Sequence, residues 1–231
     1  MLAAGLGTRL RPITDTVPKC MVPIMGRPLI DLWFDLLLGQ GIERVLINTH
    51  YMADLVEAHV KGSHWAGRID IFHEESLLGT GGTVLANVDY FGDESFIVAH
   101  ADNLTQFDVG TFTARHDLRP SGVHITMMTF VTDVPKSCGI VELDKNGVVV
   151  GFYEKSEDFH GNLANGAVYI FDETVVDYMH MLKRPVFDLS TDVIPNFIGR
   201  MQTYPTDGFL IDVGTPSQLE KAQELMQEWQ R

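Results

Sequence analysis

The first half of the chain alternates between strand-like and helix-like segments, and this order restricts the possible folds more than any other feature. Apolar or alternating runs predict strands at residues 44–49, 68–73 and 95–102. Helical periodicity or a glycine-rich helix start predicts helices at residues 28–41, 52–60 and 81–91. Strands that alternate with helices in this way form a parallel sheet covered by helices on both faces.

From about residue 120 the chain becomes mainly strand-like. Strand-like runs occur at residues 124–131, 139–155, 165–171 and 208–216. The second run contains Lys-Asn-Gly, which is a hairpin signal. Helices are predicted at residues 173–179 and 217–230.

Together these patterns predict one α/β domain over residues 1–231. Its Rossmann-like sheet is expected to be mixed but mostly parallel and to be flanked by helices, with residues 1–119 as the main part and residues 120–231 as a smaller, β-rich part. Only Met1 to Ala4 precede the first glycine turn, whereas a buried central strand needs about five residues. We therefore expect the native first strand to begin before Met1.

Composition and cysteine usage exclude several classes of protein. Hydrophobic residues make up 45% and charged residues 21% of the 231 residues, which is typical of a globular protein. The sequence has no apolar run long enough to span a bilayer and no signal-peptide pattern, so we expect no membrane partner. The histidines lack the pairings expected of a structural zinc site. Cys20 and Cys138 lie far apart and form no CxxC pair, which indicates a reducing cytosol. The predicted location is therefore cytoplasmic.

Charge is unevenly distributed along the chain. The net charge of −14 argues against a nucleic-acid partner. Nevertheless, the first 30 residues contain Arg9, Arg11, Lys19 and Arg27 against a single acid, Asp15. A cationic patch on an anionic body suits a small anionic ligand.

Three of these cations, Arg9, Arg11 and Lys19, lie in a glycine-rich loop, AAGLGTRLRPITDTVPK, at residues 3–19. The dinucleotide fingerprint G-x-G-x-x-G is incomplete, because Leu10 stands where the third glycine should be and Pro12 prevents a continuous helix. The G-x-x-x-x-G-K-[ST] motif is absent as well. What remains is a strand end, a tight glycine turn and a long cationic loop. Backbone N–H groups, arginine and lysine in this arrangement can hold a triphosphate and neutralise a pyrophosphate leaving group.

The stretch LAAGLGTRLRPITDTVPKCMVPIMGRPLI resembles the signature of the sugar-1-phosphate nucleotidyltransferases. The resemblance implies that Arg9 binds the triphosphate and assists the departure of pyrophosphate, and that Lys19 contacts the phosphates. Residues expected to bind the nucleotide are Leu2, Ala3, Ala4, Gly5, Gly7 and Thr8. The later segment LLGTGGT is similar to the family's LGTAGA segment, which implies that Gly79 lies near the base.

Two acids are implied as magnesium ligands. Asp102 in AHADN follows an apolar strand, and ligands bind at the carboxyl ends of such strands. Ala101 replaces the glycine that commonly precedes this acid in the family. Asp212 in FLIDVGTP matches the family's second carboxylate. Two carboxylates with substrate phosphates are a normal arrangement for Mg²⁺, so Mg²⁺ is the predicted cofactor and Asp102 is also counted as catalytic.

Three further segments resemble the family's sugar-binding elements. SCGIVELD implies that Gly139 passes close to the sugar ring. FYEKS implies that Glu154 accepts hydrogen bonds from sugar hydroxyls and that Lys155 holds the sugar's phosphate, with Ser156 in place of the usual proline. NLANGAVYIF implies that Asn165 contacts a sugar hydroxyl.

The reaction implied by the resemblance converts an NTP and a sugar 1-phosphate into an NDP-sugar and pyrophosphate. These two substrates are therefore the predicted partners, and homo-oligomerisation is left open. The segments above are most similar to mannose-1-phosphate guanylyltransferase-like members, which implies GTP. Glu74 and Glu75 precede LLGTGG, and a carboxylate can accept hydrogen bonds from guanine N1–H and N2–H₂, so Glu75 is a candidate for nucleotide binding. Exposed acids at a strand end explain both residues equally well.

Several alternatives stay open. Within the class, the chain could be a glucose-1-phosphate thymidylyl- or uridylyltransferase or a heptose-1-phosphate guanylyltransferase. A cytidylyltransferase acting on choline phosphate would not need Lys155 and Asn165. A non-catalytic subunit that senses sugar nucleotides would have lost a metal acid or the loop arginine, whereas Arg9, Asp102 and Asp212 are present.

Overall fold

A computed structural model describes residues 1–155, 161–206 and 208–229. The chain divides into two compact units, and each is discontinuous in sequence. Unit 1 contains residues 1–77, 100–109 and 208–229. Unit 2 contains residues 78–99 and 110–206, apart from the gap given above. The predicted halves at 1–119 and 120–231 do not coincide with these units, and a single domain over the whole chain stays a prediction.

The strands are β1 (Pro23–Ile24), β2 (Arg27–Pro28), β3 (Val45–Thr49), β4 (Ile69–His73), β5 (Phe96–Ala99), β6 (Asn103–Thr105), β7 (Ile125–Val131), β8 (Gly139–Leu143), β9 (Val149–Glu154), β10 (Leu163–Phe171), β11 (Met201–Pro205) and β12 (Leu210–Asp212). The α-helices are α1 (Leu29–Gly39), α2 (Ala53–Gly62), α3 (Gly79–Ala86), α4 (Val88–Phe91), α5 (Val109–Asp117), α6 (Glu173–Met181) and α7 (Pro216–Trp229). Short 3₁₀ helices in the first loop are Thr8–Leu10, Ile13–Asp15 and Lys19–Met21.

Unit 1 is organised around parallel pairing near its first residues. Strands β3 and β4 pair in parallel over their full lengths. The Asn48 N–H of β3 donates to Met1 O, and Leu2 forms a parallel bridge with His100. In place of the predicted strand end at residues 2–4, a short segment hydrogen-bonds to β3 on one side and forms an isolated bridge on the other side with the segment that leads to Asp102.

The core of unit 1 lies where α1 and α7 meet β6 and β12. Its buried members are Ile24, Leu29, Leu104, Ile211, Val213, Ala222 and Met226. Helix α1 presents several large apolar side chains to the interior, which explains its periodicity in the sequence. One of them, Trp33, also donates its indole N–H to Asn103 O at 2.7 Å. This bond fixes α1 beside the residue that follows Asp102.

Unit 2 is built on a sheet with the order β11-β7-β10-β8-β9, and β5 also pairs with β10. Only β11 and β7 are parallel among these pairs. The register of β10 against β7 shifts between Asn165 and Tyr169, and Ala167 in this bulge has φ +52°. Helix α6 begins where the Asp172 carboxylate accepts from the Thr174 N–H.

The predicted mixed α/β class is confirmed, and most predicted elements lie within a few residues of those observed. The β-rich character of the later sequence is the mainly antiparallel sheet of unit 2. The predicted strand at 95–102 ends at Ala99, because the chain turns there before β6. Among the described helices, none combines the length and the apolar character needed to cross a bilayer.

Candidate active site

Four charged side chains meet in unit 1, and all four were singled out by the sequence. The Lys19 ammonium hydrogen-bonds the Asp102 carboxylate, and its Nζ lies 3.4 Å from Oδ1 of Asp212. The Arg9 guanidinium lies 3.7 Å from Oδ2 of Asp212. The two predicted metal acids and the two predicted phosphate-binding cations therefore form one cluster.

Backbone pairing places the two acids next to each other. Asp212 is the last residue of β12, and it stands opposite Asn103 in the antiparallel pair with β6. The Val213 N–H donates to Asp102 O at 2.9 Å. Because these strands pair at this register, the two carboxylates emerge side by side although Asp102 and Asp212 lie 110 positions apart.

Burial strengthens the contact of Lys19 with its acids. Pro18 precedes the 3₁₀ helix that carries Lys19, and only 9% of the lysine side chain is exposed. An ammonium this buried needs carboxylate partners to offset its lost hydration. Burial alone would raise the pKa of Asp102, but the Lys19 ammonium, His100 and hydrogen bonds together hold it below its usual value, and Lys19 makes the largest of these opposing contributions. Burial also lowers the pKa of His100, which favours a neutral imidazole near the acids.

The guanidinium of Arg9 occupies space that a side chain at position 214 would fill. A Cβ on Gly214 would lie 2.9 Å from Arg9 Nη2 and 2.9 Å from Asp212 Oδ1. The Arg9 side chain is 66% exposed, so the guanidinium remains accessible from solvent. The glycine of the VGTP segment is thus explained by the close approach of Arg9 and Asp212.

The glycine loop is shaped mainly by Gly7, whose φ is +64°. Gly7 precedes the 3₁₀ helix Thr8–Leu10, and its carbonyl accepts from the Leu10 N–H at 2.9 Å. A Cβ on Gly5, by contrast, would meet no atom within 4 Å. The other predicted nucleotide residues of this stretch, Leu2, Ala3, Ala4 and Thr8, also lie in unit 1.

Asn48, which sequence reasoning missed, ties this stretch to the end of β4. Its Oδ1 accepts from the Ala3 N–H at 2.6 Å, and its Nδ2 donates to Glu74 Oε1 at 2.8 Å. Glu74 is buried, whereas the neighbouring Glu75 is exposed. The two acids that the sequence could not distinguish therefore have different surroundings.

The glycines of LLGTGGT contact protein in unit 2. The Phe187 carbonyl accepts from the N–H groups of Gly81 and Gly82, at 3.0 and 3.1 Å. A Cβ on Gly81 would come closer than 3.0 Å to the Phe187 ring, and one on Gly82 equally close to Pro185 O. Gly79 has φ +74° and a similar contact with the Phe187 carbonyl. Packing accounts for these glycines, and contact of Gly79 with a nucleotide stays a prediction.

The predicted sugar-binding residues lie on adjoining strands of unit 2. Gly139 of β8 stands opposite Glu154 of β9, and a Cβ on Gly139 would lie 2.7 Å from Glu154 Oε2. Lys155 Nζ lies 3.5 Å from Glu154 Oε1, and 67% of the lysine side chain is exposed. Ser156 lies outside the described residues.

Asn165 stabilises the bulge of β10. Its Nδ2 donates to the Tyr169 hydroxyl at 2.7 Å, and its Oδ1 accepts from the Ala167 N–H at 2.9 Å. Burial, with a smaller contribution from Glu154, raises the pKa of Tyr169. Tyr169 was not among the site residues predicted from the sequence, although it lies in the same segment as Asn165.

The acid pair of unit 1 fits Mg²⁺ as a ligand set. Within the described ranges, no group of three or more His, Cys, Asp or Glu side chains is arranged to hold a metal ion. Mg²⁺ in nucleotide enzymes commonly needs only one or two carboxylates, since substrate phosphates and water complete its shell. Asp102 and Asp212 both contact the Lys19 ammonium, so a single cation can reach both carboxylates.

Comparisons with known proteins identify the family of the chain. A family model described as "Nucleotidyl transferase" matches residues 1–228. The chain is 29% identical over 212 residues to the UTP–glucose-1-phosphate uridylyltransferase of Synechocystis sp., a match that covers 86% of this chain and 54% of that protein. It is 28% identical over 221 residues to the mannose-1-phosphate guanylyltransferase of Mycobacterium tuberculosis, with coverage of 94% and 60%.

A solved structure is similar as well. The crystal structure of HddC from Yersinia pseudotuberculosis complexed with GMP-PN matches with a TM-score of 0.80 and 28% identity, covering 96% of each chain. In contrast, the chain spans only 54% to 60% of the length of the two curated relatives.

Proposed function

Because the chain belongs to the nucleotidyl transferase family, we propose that it transfers a nucleotidyl group from an NTP to a sugar 1-phosphate and releases pyrophosphate. The family predicted from the glycine loop is thereby confirmed. The observation that carries the proposed activity is the cluster of two cations and two acids in unit 1. Phosphoryl chemistry of this kind needs neutralisation and alignment of charge more than it needs covalent catalysis.

In the proposed reaction a phosphate oxygen of the sugar 1-phosphate attacks the α-phosphorus of the NTP in line. A new P–O bond forms while the bond to the β-phosphate breaks, and pyrophosphate leaves with that electron pair. A phosphate monoester has a second pKa of about 6, so the nucleophile is mostly dianionic at neutral pH and needs no general base.

Arg9 and Lys19 are proposed to bind the phosphates of the NTP. Arginine offers planar, bidentate donors, and the exposed guanidinium of Arg9 can reach a ligand from solvent. Lys19 is held close to the acids, so it can act as a fixed positive charge beside the reacting phosphates. Negative charge that develops on the leaving pyrophosphate is stabilised by both.

We propose that Asp102 and Asp212 hold Mg²⁺. When bound, the ion neutralises phosphate charge and helps to align the two anionic substrates. The β6–β12 pairing fixes the backbone next to both acids, and this keeps the two carboxylate ligands in place. Lys19 contributes most to the lowering of the Asp102 pKa, which helps to keep this carboxylate ionised and available as a ligand.

Gly139, Glu154, Lys155 and Asn165 are proposed to bind the sugar 1-phosphate. Glu154 lies at the end of β9 beside the exposed Lys155, which supports a pair of groups that contact sugar hydroxyls and phosphate. The amide nitrogen and the amide oxygen of the Asn165 side chain both form hydrogen bonds within the β10 bulge, so this side chain would contact the sugar from a fixed position.

GTP and mannose 1-phosphate are the substrates that we propose first. Support comes from the resemblance of the sugar-binding segments, from the relative named mannose-1-phosphate guanylyltransferase and from the neighbour crystallised with GMP-PN. Glu75 is proposed to contact the base, and its exposure leaves it accessible. Glucose 1-phosphate with UTP or dTTP is the alternative, which the uridylyltransferase relative favours. A heptose 1-phosphate with GTP also remains an alternative.

A pyrophosphate-release assay tests the proposal. The purified chain with Mg²⁺ is offered GTP, UTP, dTTP and CTP, each combined with mannose, glucose and heptose 1-phosphates. Release with one or a few pairs is the expected result, with GTP and mannose 1-phosphate as the best pair. No release with any pair would overturn the catalytic proposal and favour a subunit that senses sugar nucleotides.

A cytosolic location is part of the proposal and rests on cysteine usage. Cys20 and Cys138 are both free thiols, as expected in a reducing compartment. Burial raises the pKa of Cys20 to about 12, which keeps this thiol protonated and unreactive.

A further inference from the structure

A chain of hydrogen bonds connects the loop after β3 with the glycine turn. The Tyr51 hydroxyl donates to Thr14 O at 3.0 Å. The Thr14 hydroxyl in turn donates to Gly7 O at 2.7 Å. The same Gly7 carbonyl accepts from the Leu10 N–H, which closes the turn that carries Arg9. All of these residues belong to unit 1.

Tyr51 donates to a carbonyl near the end of a short helix, where carbonyls lack partners. In the 3₁₀ helix Ile13–Asp15, the carbonyls of Pro12 and Ile13 accept from backbone N–H groups of the same turn. Thr14 O instead accepts from the Tyr51 phenol. Thr14 is buried, with 1% exposure, so its carbonyl depends on a protein donor more than an exposed one would.

Thr14 in turn supports the two phosphate-binding cations. A Cβ on Gly7 would lie 2.8 Å from the Thr14 methyl group and 3.1 Å from Lys19 Cβ. Gly7 is therefore packed between Thr14 and the backbone region of Lys19, and it begins the turn of Arg9. Because Thr14 contacts Gly7, and Gly7 lies against Lys19 and begins the turn of Arg9, we expect a shift of Thr14 to disturb both cations.

We propose that Tyr51 is a positioning residue for the polyphosphate: its hydroxyl holds Thr14 so that the glycine turn presents Arg9 and Lys19 in the geometry that binds the NTP and its pyrophosphate leaving group. This inference rests on the proposed function. Tyr51 acts through Thr14 and Gly7, so its contribution is to preorganise the loop before ligand binds.

Tyr51→Phe is the first test, because it removes only the hydroxyl. The KM for the NTP and the Kd for magnesium pyrophosphate are expected to rise about 3- to 10-fold, the usual effect of one hydrogen bond. The KM for the sugar 1-phosphate is expected to stay within twofold. Tyr178→Phe is the matched control, since the Tyr178 hydroxyl also donates to a backbone carbonyl, that of Asp192 at 3.3 Å, but in unit 2. It should leave the KM for the NTP unchanged.

A double-mutant cycle separates positioning from general stability. Thr14→Val keeps the side-chain shape and removes the hydroxyl that reaches Gly7, whereas Thr14→Ser keeps that hydroxyl. In the Thr14→Val background, Tyr51→Phe should change pyrophosphate affinity less than twofold, since the hydrogen-bond chain is already broken. In the Thr14→Ser background the effect of Tyr51→Phe should persist.

The possible outcomes distinguish this inference from the proposed activity. An unchanged NTP KM and pyrophosphate Kd in Tyr51→Phe, in an active enzyme, would overturn the inference and leave the activity standing. Weaker pyrophosphate binding by Tyr51→Phe, in a chain that transfers no nucleotide, would keep the inference and overturn the activity. If the unmodified chain binds neither pyrophosphate nor any NTP, both are wrong.

Discussion

The Lys19 ammonium hydrogen-bonds the Asp102 carboxylate, although the two residues lie 83 positions apart. Replacing Lys19 by Gln should lower kcat by about 10²- to 10³-fold, because a preorganised charge beside the phosphates is lost. It should also lower the melting temperature at pH 7, since two partly buried carboxylates lose their counter-charge. The ammonium contributes most to lowering the pKa of Asp102, so its stabilisation exists above the usual carboxyl pKa and disappears as the pH falls through the lower, folded value.

Calorimetry at pH 7 and at pH 3 measures this difference. The loss in melting temperature caused by Lys19→Gln should shrink at the lower pH. Lys61→Gln is the control, because Lys61 forms an exposed ion pair with Glu57 on α2. An equal loss at both pH values would contradict the coupling between Lys19 and Asp102.

Asp102→Asn and Asp212→Asn should each reduce turnover by orders of magnitude while the fold is retained. Each change keeps the size of the side chain but removes a charged oxygen that we propose as a Mg²⁺ ligand. Titration calorimetry with Mn²⁺ and GTP, without sugar phosphate, should show weaker metal binding in both variants. Asp15→Asn is the control, since Asp15 pairs with Arg11 on the surface. Unchanged turnover in either variant would refute the metal assignment.

The sequence predicted the acid and cation cluster because each member lies in a dense motif with its own chemistry. It did not indicate the bonds of Asn48, Thr14 and Tyr51, because each is a hydrogen bond between a side chain and a backbone group, within the loop for Thr14 and across 45 and 37 positions for Asn48 and Tyr51. Such bonds leave no periodicity or spacing in a single sequence.

The glycine motifs are a second case in which the sequence indicates a close contact but not the group that makes it. The glycines of LLGTGGT were interpreted as room for a flat ligand, and a glycine does indicate close approach. The sequence does not say what approaches, and the structure brings Pro185 and Phe187 to these positions. Gly214 was part of a recognised motif, yet the sequence could not show that Arg9 Nη2 lies where a Cβ at this position would be.

Gly214→Ala should lower activity with little loss of stability. The new methyl group would lie 2.9 Å from both Arg9 Nη2 and Asp212 Oδ1, so one of these groups must move. The φ of Gly214 is not in the left-handed region, so alanine itself causes no backbone strain there. We expect kcat/KM for the NTP to fall about 10-fold or more, in line with the effect of small misplacements in active sites. Gly67→Ala, where a Cβ meets nothing within 4 Å, is the control, and equal kinetics of both variants would argue against the proposed role of Arg9.

His116 should make the stability of the chain depend on pH below neutrality. Its ring is buried between Thr126 Oγ1 at 2.8 Å and Ser95 Oγ at 3.2 Å. Burial, helped by Arg119, lowers the pKa of His116 to about 4, whereas an unfolded histidine has a pKa of about 6.5. Between these values the unfolded chain binds a proton that the folded chain does not. The free energy of unfolding should therefore fall as the pH drops from about 6.5 to about 4, by at most about 1.4 kcal/mol per pH unit from this group.

Urea unfolding at half-unit steps of pH measures that slope. His116→Gln should have a shallower slope than the unmodified chain over this range, whatever its stability at pH 7. His64→Gln is the control, because 73% of the His64 side chain is exposed. Identical slopes for the unmodified chain and His116→Gln would contradict the assignment.

Gly82→Ala should destabilise unit 2 through packing. A Cβ at this position would overlap Pro185 O, a backbone atom that cannot rotate away, so helix α3 and the segment at 185–188 must separate. Overpacking of this kind costs about 1–3 kcal/mol. Gly39→Ala, also within a helix but with nothing near the new methyl group, should be neutral or slightly stabilising, since alanine favours helices.

Chemical unfolding and the KM for the NTP, both measured well below the melting temperature, distinguish a packing role of Gly82 from a nucleotide-binding role. A clear loss of stability with an unchanged KM would support packing as the reason for Gly82. A raised KM at unchanged stability would instead mean that this glycine makes room for the nucleotide, as the sequence motif first suggested.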